Sequence, residues 1–410
     1  MRETLLILGA SARAAAQSAR RAGFAPVCGD LFADIDLREC AQATSVADFP
    51  SELEAVARAA PQGAWMYTGG LENYPALVER IAAARPLWGN SASVLRRVRD
   101  PFLTTETLRS AGLDVPECRL TASGLFPDGV RRSPHDQDEA GRPPELWLRK
   151  GRRSSGGNQV QFWRASDEKA SDERRSYYQK WIEGKSCGAV YIAAGGEARL
   201  VGVTEQLLAG SETGEGAAAD GEAADGRFRY AGSVGPLPLS PGVRTTFERI
   251  GQTLAREFGL IGFFGVDTIL TGERVWPVEV NPRYPASAEI LDRALENSAV
   301  GWHVKACRER ELPVVPEPAV DRWHGKRIHF ARRDTVASPE FVENAMICNS
   351  GRPWPTIADI PAPETRFHAG QPVFTVLAEG PNRESVLQRL AAVEHDFAEA
   401  LSSNLPKRPG

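Results

Sequence analysis

Apolar positions recur along this chain with two periods, near 3.6 and near 2, and their alternation predicts a mixed α/β protein. Residues 4–8 are continuously apolar, Gly9-Ala-Ser-Ala12 reads as a tight turn, and 12–22 reads as an alanine-rich helix ended by Gly23. A second strand, Ala25-Pro-Val-Cys28, runs to Asp30 and completes a β-α-β opening. The alternation continues through a helix over 52–60, a strand over 63–67, the loop Thr68-Gly-Gly-Leu-Glu72-Asn73 and a helix over 74–84. In that helix Tyr74, Leu77, Val78 and Ile81 fall on one face. A short strand over 87–90 follows, and then one helix from Ser93 through Asp100-Pro101 to Gly112.

The middle of the chain is less regular. Residues 121–145 are rich in Pro, Gly, Asp and Arg without periodicity, which predicts a surface excursion. Order returns with a strand ending at Lys150, a Gly/Ser loop over 151–158 and a return strand over 159–163. Tyr178-Gln-Lys-Trp-Ile-Glu183-Gly184 reads as a strand ended by glycine, and strands over 187–192 and 198–203 flank Gly195-Gly196. Residues 209–229, dominated by Gly, Ala, Glu and Asp, predict a disordered insertion. A helix over 242–258 carries Phe247, Ile250, Leu254 and Phe258 on one face. It leads into a hairpin of Ile261–Asp267 and Val275–Asn281, joined by a turn over 270–274. After Pro313 the chain is Pro-rich, then offers strands over 326–331 and 371–378 and a helix over 383–402.

Composition adds bounds. With 410 residues, 42% hydrophobic and 25% charged, the chain has the make-up of a soluble globular protein of two to three domains. A net charge of −4 gives no reason to expect nucleic acid or an acidic membrane as partner. Cys28, Cys40, Cys118, Cys187, Cys307 and Cys348 are scattered without a C-x-x-C pair, against a zinc site or disulfide framework. The apolar run at the start is too short for a secretory leader and no window spans a bilayer, so a cytoplasmic location is expected.

Candidate chemistry concentrates on the hairpin. Glu279 and Asn281 lie two apart on one strand and project from one face, with Asp267 opposite them. Paired carboxylates and an amide suit a hard cation that completes its shell with water and phosphate oxygens, Mg²⁺ or Mn²⁺. Arg283 falls on the same face, placed to neutralise a transferring phosphoryl group. Upstream, Lys150 ends a strand beneath Gly156 and Gly157, a flap whose backbone N–H groups suit phosphates. Loops at strand ends of an open α/β sheet bind ligands, which makes Ser11, Arg13, Glu72 and Asn73 substrate candidates. The G-x-G-x-x-G fingerprint is absent, against a nicotinamide cofactor. His324, His329 and His368 read as structural.

A lysine with a glycine flap, then Q-K-W-I-E-G, a long gap, G-V-D and E-x-N-x-R resembles the ATP-grasp superfamily of carboxylate–amine ligases, over residues 94 to 310. A narrower likeness runs to a branch associated with one-carbon and pterin-type cofactor genes. The resemblance implies a Rossmann-like N-terminal domain over 1–93, an ATP-grasp domain over 94–310 with its mobile flap at 146–184, and a small β-rich α+β cap over 311–410. It implies that Lys150 contacts ATP phosphates beneath Gly156 and Gly157. Gln179, Lys180, Trp181, Ile182 and Glu183 would form the hinge, with the backbone at Lys180 and Ile182 on the adenine edge and Glu183 at the ribose. Asp267, Glu279 and Asn281 would hold Mg²⁺, and Arg283 would steady the acyl phosphate. Many relatives carry lysine after the aspartate that opens the ATP-grasp domain, whereas Asp100 here precedes Pro101; Arg96, Arg97 or Arg99 supplies that charge, or the site binds nucleotide with one cation fewer.

The activity so implied is an ATP- and Mg²⁺-dependent ligase that activates a small-molecule carboxylate as an acyl phosphate and couples it to an amine. Its alternatives are bicarbonate activation, as in carboxylases, and a regulatory nucleotide-binding protein without turnover. A homodimer is common in the superfamily.

Overall fold

The computed structural model describes residues 2–122, 146–154, 156–163, 175–209, 226–319 and 321–402. The predicted excursion from residue 123 to 145 and most of the predicted insertion, 210–225, lie outside them. At the N-terminus β1 (Thr4–Leu8), α1 (Arg13–Arg21), β2 (Ala25–Asp30), α2 (Ile35–Cys40), β3 (Gln42–Ser45), α3 (Leu53–Ala59), β4 (Ala64–Tyr67) and α4 (Pro75–Ala84) build a parallel sheet of order β3-β2-β1-β4. Leu5 to Leu8 are wholly buried, as a strand covered on both faces requires. The strand expected over 87–90 reduces to one bridge, Trp65 to Leu87.

The single helix expected from Ser93 to Gly112 is two helices, α5 (Ala92–Val98) and α6 (Pro101–Ser110). Proline disfavours helical backbone in the residue before it. Asp100 is accordingly extended, and its carboxylate caps α6 by accepting from the Phe102 and Leu103 N–H groups at 2.9 and 3.2 Å. Arg99 therefore stands at a break between helices.

Next come β5 (Cys118–Arg119), β6 (Trp147–Gly151), β7 (Val160–Phe162) and β8 (Ser176–Lys180), a small antiparallel sheet of order β5-β8-β6-β7. A larger sheet is built from β9 (Lys185–Ala194), β10 (Glu197–Leu208), β11 (Tyr230–Gly235), β12 (Gly262–Thr271) and β13 (Arg274–Asn281), with α7 (Pro241–Phe258) packed on it. The helical face expected from Phe247, Ile250, Leu254 and Phe258 is fully buried. Gly251 lies in the same helix because a Cβ there would sit 2.4 Å from the Tyr191 ring, itself stacked on Phe264. The turn expected over 270–274 is tighter, since Thr271 pairs with Arg274 across Gly272-Glu273.

After α8 (Ala288–Ala294) and α9 (Ala299–Glu309) come β14 (Trp323–Phe330), β15 (Thr335–Val336), α10 (Pro339–Asn349), β16 (Ile357–Ala358), β17 (Arg366–Phe367), β18 (Pro372–Gly380) and α11 (Arg383–Ser402). β14, β18 and β16 extend the larger sheet to order β13-β12-β9-β10-β11-β14-β18-β16 through the β11–β14 pairing, so these C-terminal strands share a sheet with the hairpin. His329 pairs with Glu394 and stacks on Phe374, and His368 is exposed beside Asp334.

Candidate active site

The hairpin register sets Asp267 opposite Glu279 and Gly265 opposite Asn281. Asn281 Nδ2 donates to Asp267 Oδ2 at 3.0 Å, and Gln206 Nε2 donates to Asp267 Oδ1 at 2.7 Å. Burial, and then the charge of Glu279, push the Asp267 carboxyl up to about 6. Burial works the same way on Glu279, but Arg99 and Lys150 overcome it and hold its carboxyl below the ordinary range. Two half-buried carboxylates that oppose each other's ionisation, with an amide oxygen beside them, fit a divalent cation, which removes that repulsion. Asp267, Glu279 and Asn281 are thus chemically suited to such an ion.

Three cations surround these groups. Arg99 donates to Glu279 Oε1 at 2.6 Å, to the Ser154 carbonyl at 2.8 Å and to Asn73 Oδ1 at 3.1 Å. It links the hairpin, the β6–β7 loop and the segment between β4 and α4 through one guanidinium. Arg96 instead pairs with Glu79, and Arg97 donates to the Glu257 carbonyl, so Arg99 is the arginine of that trio that reaches the site. Lys150 Nζ donates to Gln179 Oε1 and to the Val278 carbonyl, both at 3.2 Å, and stands 3.9 Å from Glu279. Burial works to lower its pKa, but Tyr177 and Glu279 hold it above the ordinary value, so it stays an ammonium. Arg283 Nε donates to Glu72 Oε1 at 3.2 Å and its Nη2 to Asn281 Oδ1 at 3.3 Å. Glu72 Oε2 and Arg99 Nε are buried without a hydrogen-bond partner among the described residues, which leaves one acceptor and one donor at the site unused.

Between α5, α6, β6, β8 and β13 lies a cavity of about 40 Å³, lined by Arg99, Thr105, Leu108, Tyr177, Gln179 and Val278. It has room for little more than water, so a nucleotide must displace some of these side chains. Gly156 and Gly157 have φ of 63° and 79°, and the Gly156 carbonyl accepts from the Tyr230 N–H at 3.0 Å. A Cβ on Gly157 would lie 1.8 Å from the Phe228 carbonyl oxygen, so the loop rests directly on the chain entering β11.

The remaining expected residues are more dispersed. Gln179 lines the cavity, while Lys180, Trp181, Ile182 and Glu183 do not. The Lys180 N–H donates to the Glu117 carbonyl at 2.8 Å, the Trp181 ring meets Phe162, Ile182 is half-buried and the Glu183 side chain is exposed. Glu72 and Asn73 come to the site through Arg283 and Arg99. Arg13 is elsewhere: it is buried among Glu289, Asp359 and Asp36, all of which it pairs with. Ser11 opens onto a second cavity beside Asp34 and Asp359. Gln206 escaped the sequence reading because the strand was expected to stop at 203, whereas β10 runs to Leu208.

Residues 98–287 match the family model described as ATP-grasp domain, and the chain carries that domain there. The formate-dependent phosphoribosylglycinamide formyltransferase of Saccharolobus solfataricus is 27% identical over 172 residues, 40% of this chain and 39% of that protein; the chain thus spans about two-fifths of this curated relative. The biotin carboxylase domain dimer of Hydrogenobacter thermophilus 2-oxoglutarate carboxylase, solved with MgADP, ADP and bicarbonate, superposes with a TM-score of 0.67 at 14% identity over 96% of this chain and 89% of that one. An L-amino acid ligase from Bacillus licheniformis superposes with a TM-score of 0.64 at 13% identity, over 97% and 98%. These structures share the fold from end to end. No helix among the described residues is long and apolar enough to cross a membrane.

Proposed function

We propose that the protein is an ADP-forming ligase that uses ATP to activate a substrate carboxylate and joins it to an amine. The observation that carries this reading is the ring of Arg99, Lys150 and Arg283 around the Asp267–Glu279 pair, beside a cavity lined by Gln179. Phosphoryl transfer asks a protein for positioning and charge neutralisation more than for covalent chemistry, and these residues offer both.

ATP sits with its base toward Gln179 and its phosphates toward Lys150, Arg99 and the Gly156-Gly157 loop. A divalent cation, Mg²⁺ or Mn²⁺, held by Asp267, Glu279 and Asn281 supplies further neutralisation of the phosphates. A substrate carboxylate oxygen bonds to the γ-phosphorus as the bond to the β-phosphate oxygen breaks, giving ADP and an acyl phosphate. Arg283, aimed by Glu72 and Asn281, steadies the charge on that intermediate. An amine then attacks the acyl carbon; the C–N bond forms, phosphate leaves and the amine gives up a proton. The acid is an amino acid or a carboxylated cofactor precursor, since the loops that meet the site present both donors and acceptors.

ADP release from Mg·ATP, measured against pooled amines with pooled carboxylic acids or bicarbonate, tests the reading, with Lys150→Ala as control. ADP that requires both an acid and an amine, and falls at least about tenfold in the variant, is the expected result. ADP with bicarbonate alone would move the assignment to a carboxylase-type activity. Nucleotide binding without ADP from any pool would leave a regulatory protein.

A further inference from the structure

The cavity beside Ser11 has no part in the phosphoryl-transfer scheme. It encloses about 140 Å³ between the β2–α2 connection and the C-terminal strands, with Phe32, Ile328 and Phe374 among its apolar walls and Ser11, Asp34 and Asp359 among its polar groups. Its rim is built rigidly. Asp30 Oδ1 accepts from the Phe32 and Ala33 N–H groups, both at 2.8 Å, and Asp30 Oδ2 accepts from the Ala12 N–H at 2.6 Å. One carboxylate therefore fixes both loops that form the mouth. Phe32 is left 44% exposed there, an aromatic ring held at the opening of an apolar chamber.

The charges in the chamber are unequal. Asp359 is neutralised by Arg13 at 2.8 Å and receives the Thr375 hydroxyl. Asp34 precedes α2 without capping it and has no ion pair among the described residues. Arg13, the cation that bears on Asp34, is already divided among Glu289, Asp359 and Asp36. Burial, and then the charges of Asp359, Asp36 and Asp30, push the Asp34 carboxyl up to about 9. A cation placed against it would relieve that cost.

The chamber also adjoins the phosphoryl-transfer site. Thr68 Oγ1 donates to the Ser11 carbonyl at 2.8 Å, and the Ala10 N–H donates to the Gly69 carbonyl at 2.9 Å. The Arg283 guanidinium lies over Gly69, 3.8 Å from where a Cβ would be. The loop that lines the chamber and the loop beneath Arg283 are thus hydrogen-bonded to each other.

We propose that this chamber binds the amine substrate, a molecule whose protonated amino group pairs with Asp34 and whose apolar body packs on Phe32, Ile328 and Phe374. Naming the ligand as the amine substrate rests on the ligase reading; the binding of an apolar amine does not. A carboxylate of the same shape is disfavoured, because it would face the ionised Asp359 with Arg13 already committed.

Calorimetric titration of the intact protein, free of nucleotide, with phenethylamine, 3-phenylpropionate and 2-phenylethanol tests this. Phenethylamine should bind, the alcohol should bind at least tenfold more weakly, and the acid should not bind. Asp34→Asn should weaken the amine at least tenfold, and Phe32→Ala severalfold. Asp34→Asn keeps the size and polarity of a carboxyl that burial already holds protonated, so it folds, and Mg·ATP titration of each variant should match the parent. Equal binding of amine and acid, an unchanged Asp34→Asn affinity, or no binding of the amine overturns the assignment. Amine binding lost in Asp34→Asn, in a protein that never releases ADP, would keep the site and discard the ligase reading.

Discussion

Two buried charged clusters lie in this molecule, and they are built from the same residue types to opposite effect. Around the hairpin, Arg99, Lys150 and Arg283 share Glu279, Asn281 and Glu72, with Arg99 Nε and Glu72 Oε2 left unpaired among the described residues. Around Arg13 the cations are paired: Arg13 takes Glu289, Asp359 and Asp36, and Lys326 takes Glu289 at 3.2 Å. Burial works against the Glu289 charge, yet Arg13 and Lys326 hold its carboxyl far below the ordinary range. A cluster with spare donors and acceptors can trade partners for a ligand. One whose arginine is divided among three carboxylates serves as a joint, here between α1, α8 and the segment before β17.

Replacing Arg13 by leucine should break the joint and give the largest loss of stability. The substitution strands Asp359 and leaves Glu289 with Lys326 alone, and breaking such a buried pair typically costs about 3–5 kcal/mol. Chemical unfolding followed by tryptophan fluorescence should show that loss, while Mg·ATP binding measured below the transition stays near the parent's. Lost substrate-dependent ADP release at unchanged stability and unchanged nucleotide binding would return Arg13 to the substrate role its place after β1 suggests.

Replacing Glu279 by glutamine should do the reverse. The side chain keeps its shape and loses the charge that faces Asp267, Arg99 and Lys150. ADP release should fall at least about a hundredfold, as when a preorganised charge is removed from a transition state. The unfolding midpoint should scarcely move. Full turnover in this variant would end the assignment of Glu279 as a metal ligand.

These contrasts mark what could be read from the chain before its structure. α7, α11 and the β12–β13 hairpin were legible because each repeats an apolar period and ends in a turn or capping residue, and Asp267 and Glu279 followed from strand alternation alone. Arg99 was one of three equivalent candidates, because its selection depends on Pro101 breaking the helix and turning that one side chain inward. Arg13 was misleading for a different reason. It follows a strand end and opens α1, but its partners Glu289 and Asp359 are 276 and 346 residues away. The junction of the C-terminal strands with the larger sheet was equally hidden, since β11–β14 pairing joins residues almost a hundred apart across α7, the β12–β13 hairpin, α8 and α9. Local pattern predicts elements; it does not predict which distant charge will neutralise a buried one.

A third polar joint, which carries no charge, sharpens the comparison. His303 on α9 accepts from the Phe263 N–H through Nδ1 at 2.9 Å, and its Nε2 lies 3.0 Å from the Trp88 carbonyl, so it ties the start of β12 to the segment between α4 and α5. Burial lowers its pKa to about 4 from an ordinary value of 6.5. The unfolded chain therefore takes up a proton below about 6.5 that the folded protein refuses until about 4. Stability should fall as pH drops through that window, by about 1–3 kcal/mol from this group, and recover fully above it. Unfolding midpoints measured from pH 7.5 to pH 4.5 should show a slope that flattens in His303→Gln, whose amide replaces the ring without titrating. An equal slope in both proteins would mean that the charged clusters, and not this neutral joint, govern the response to acid.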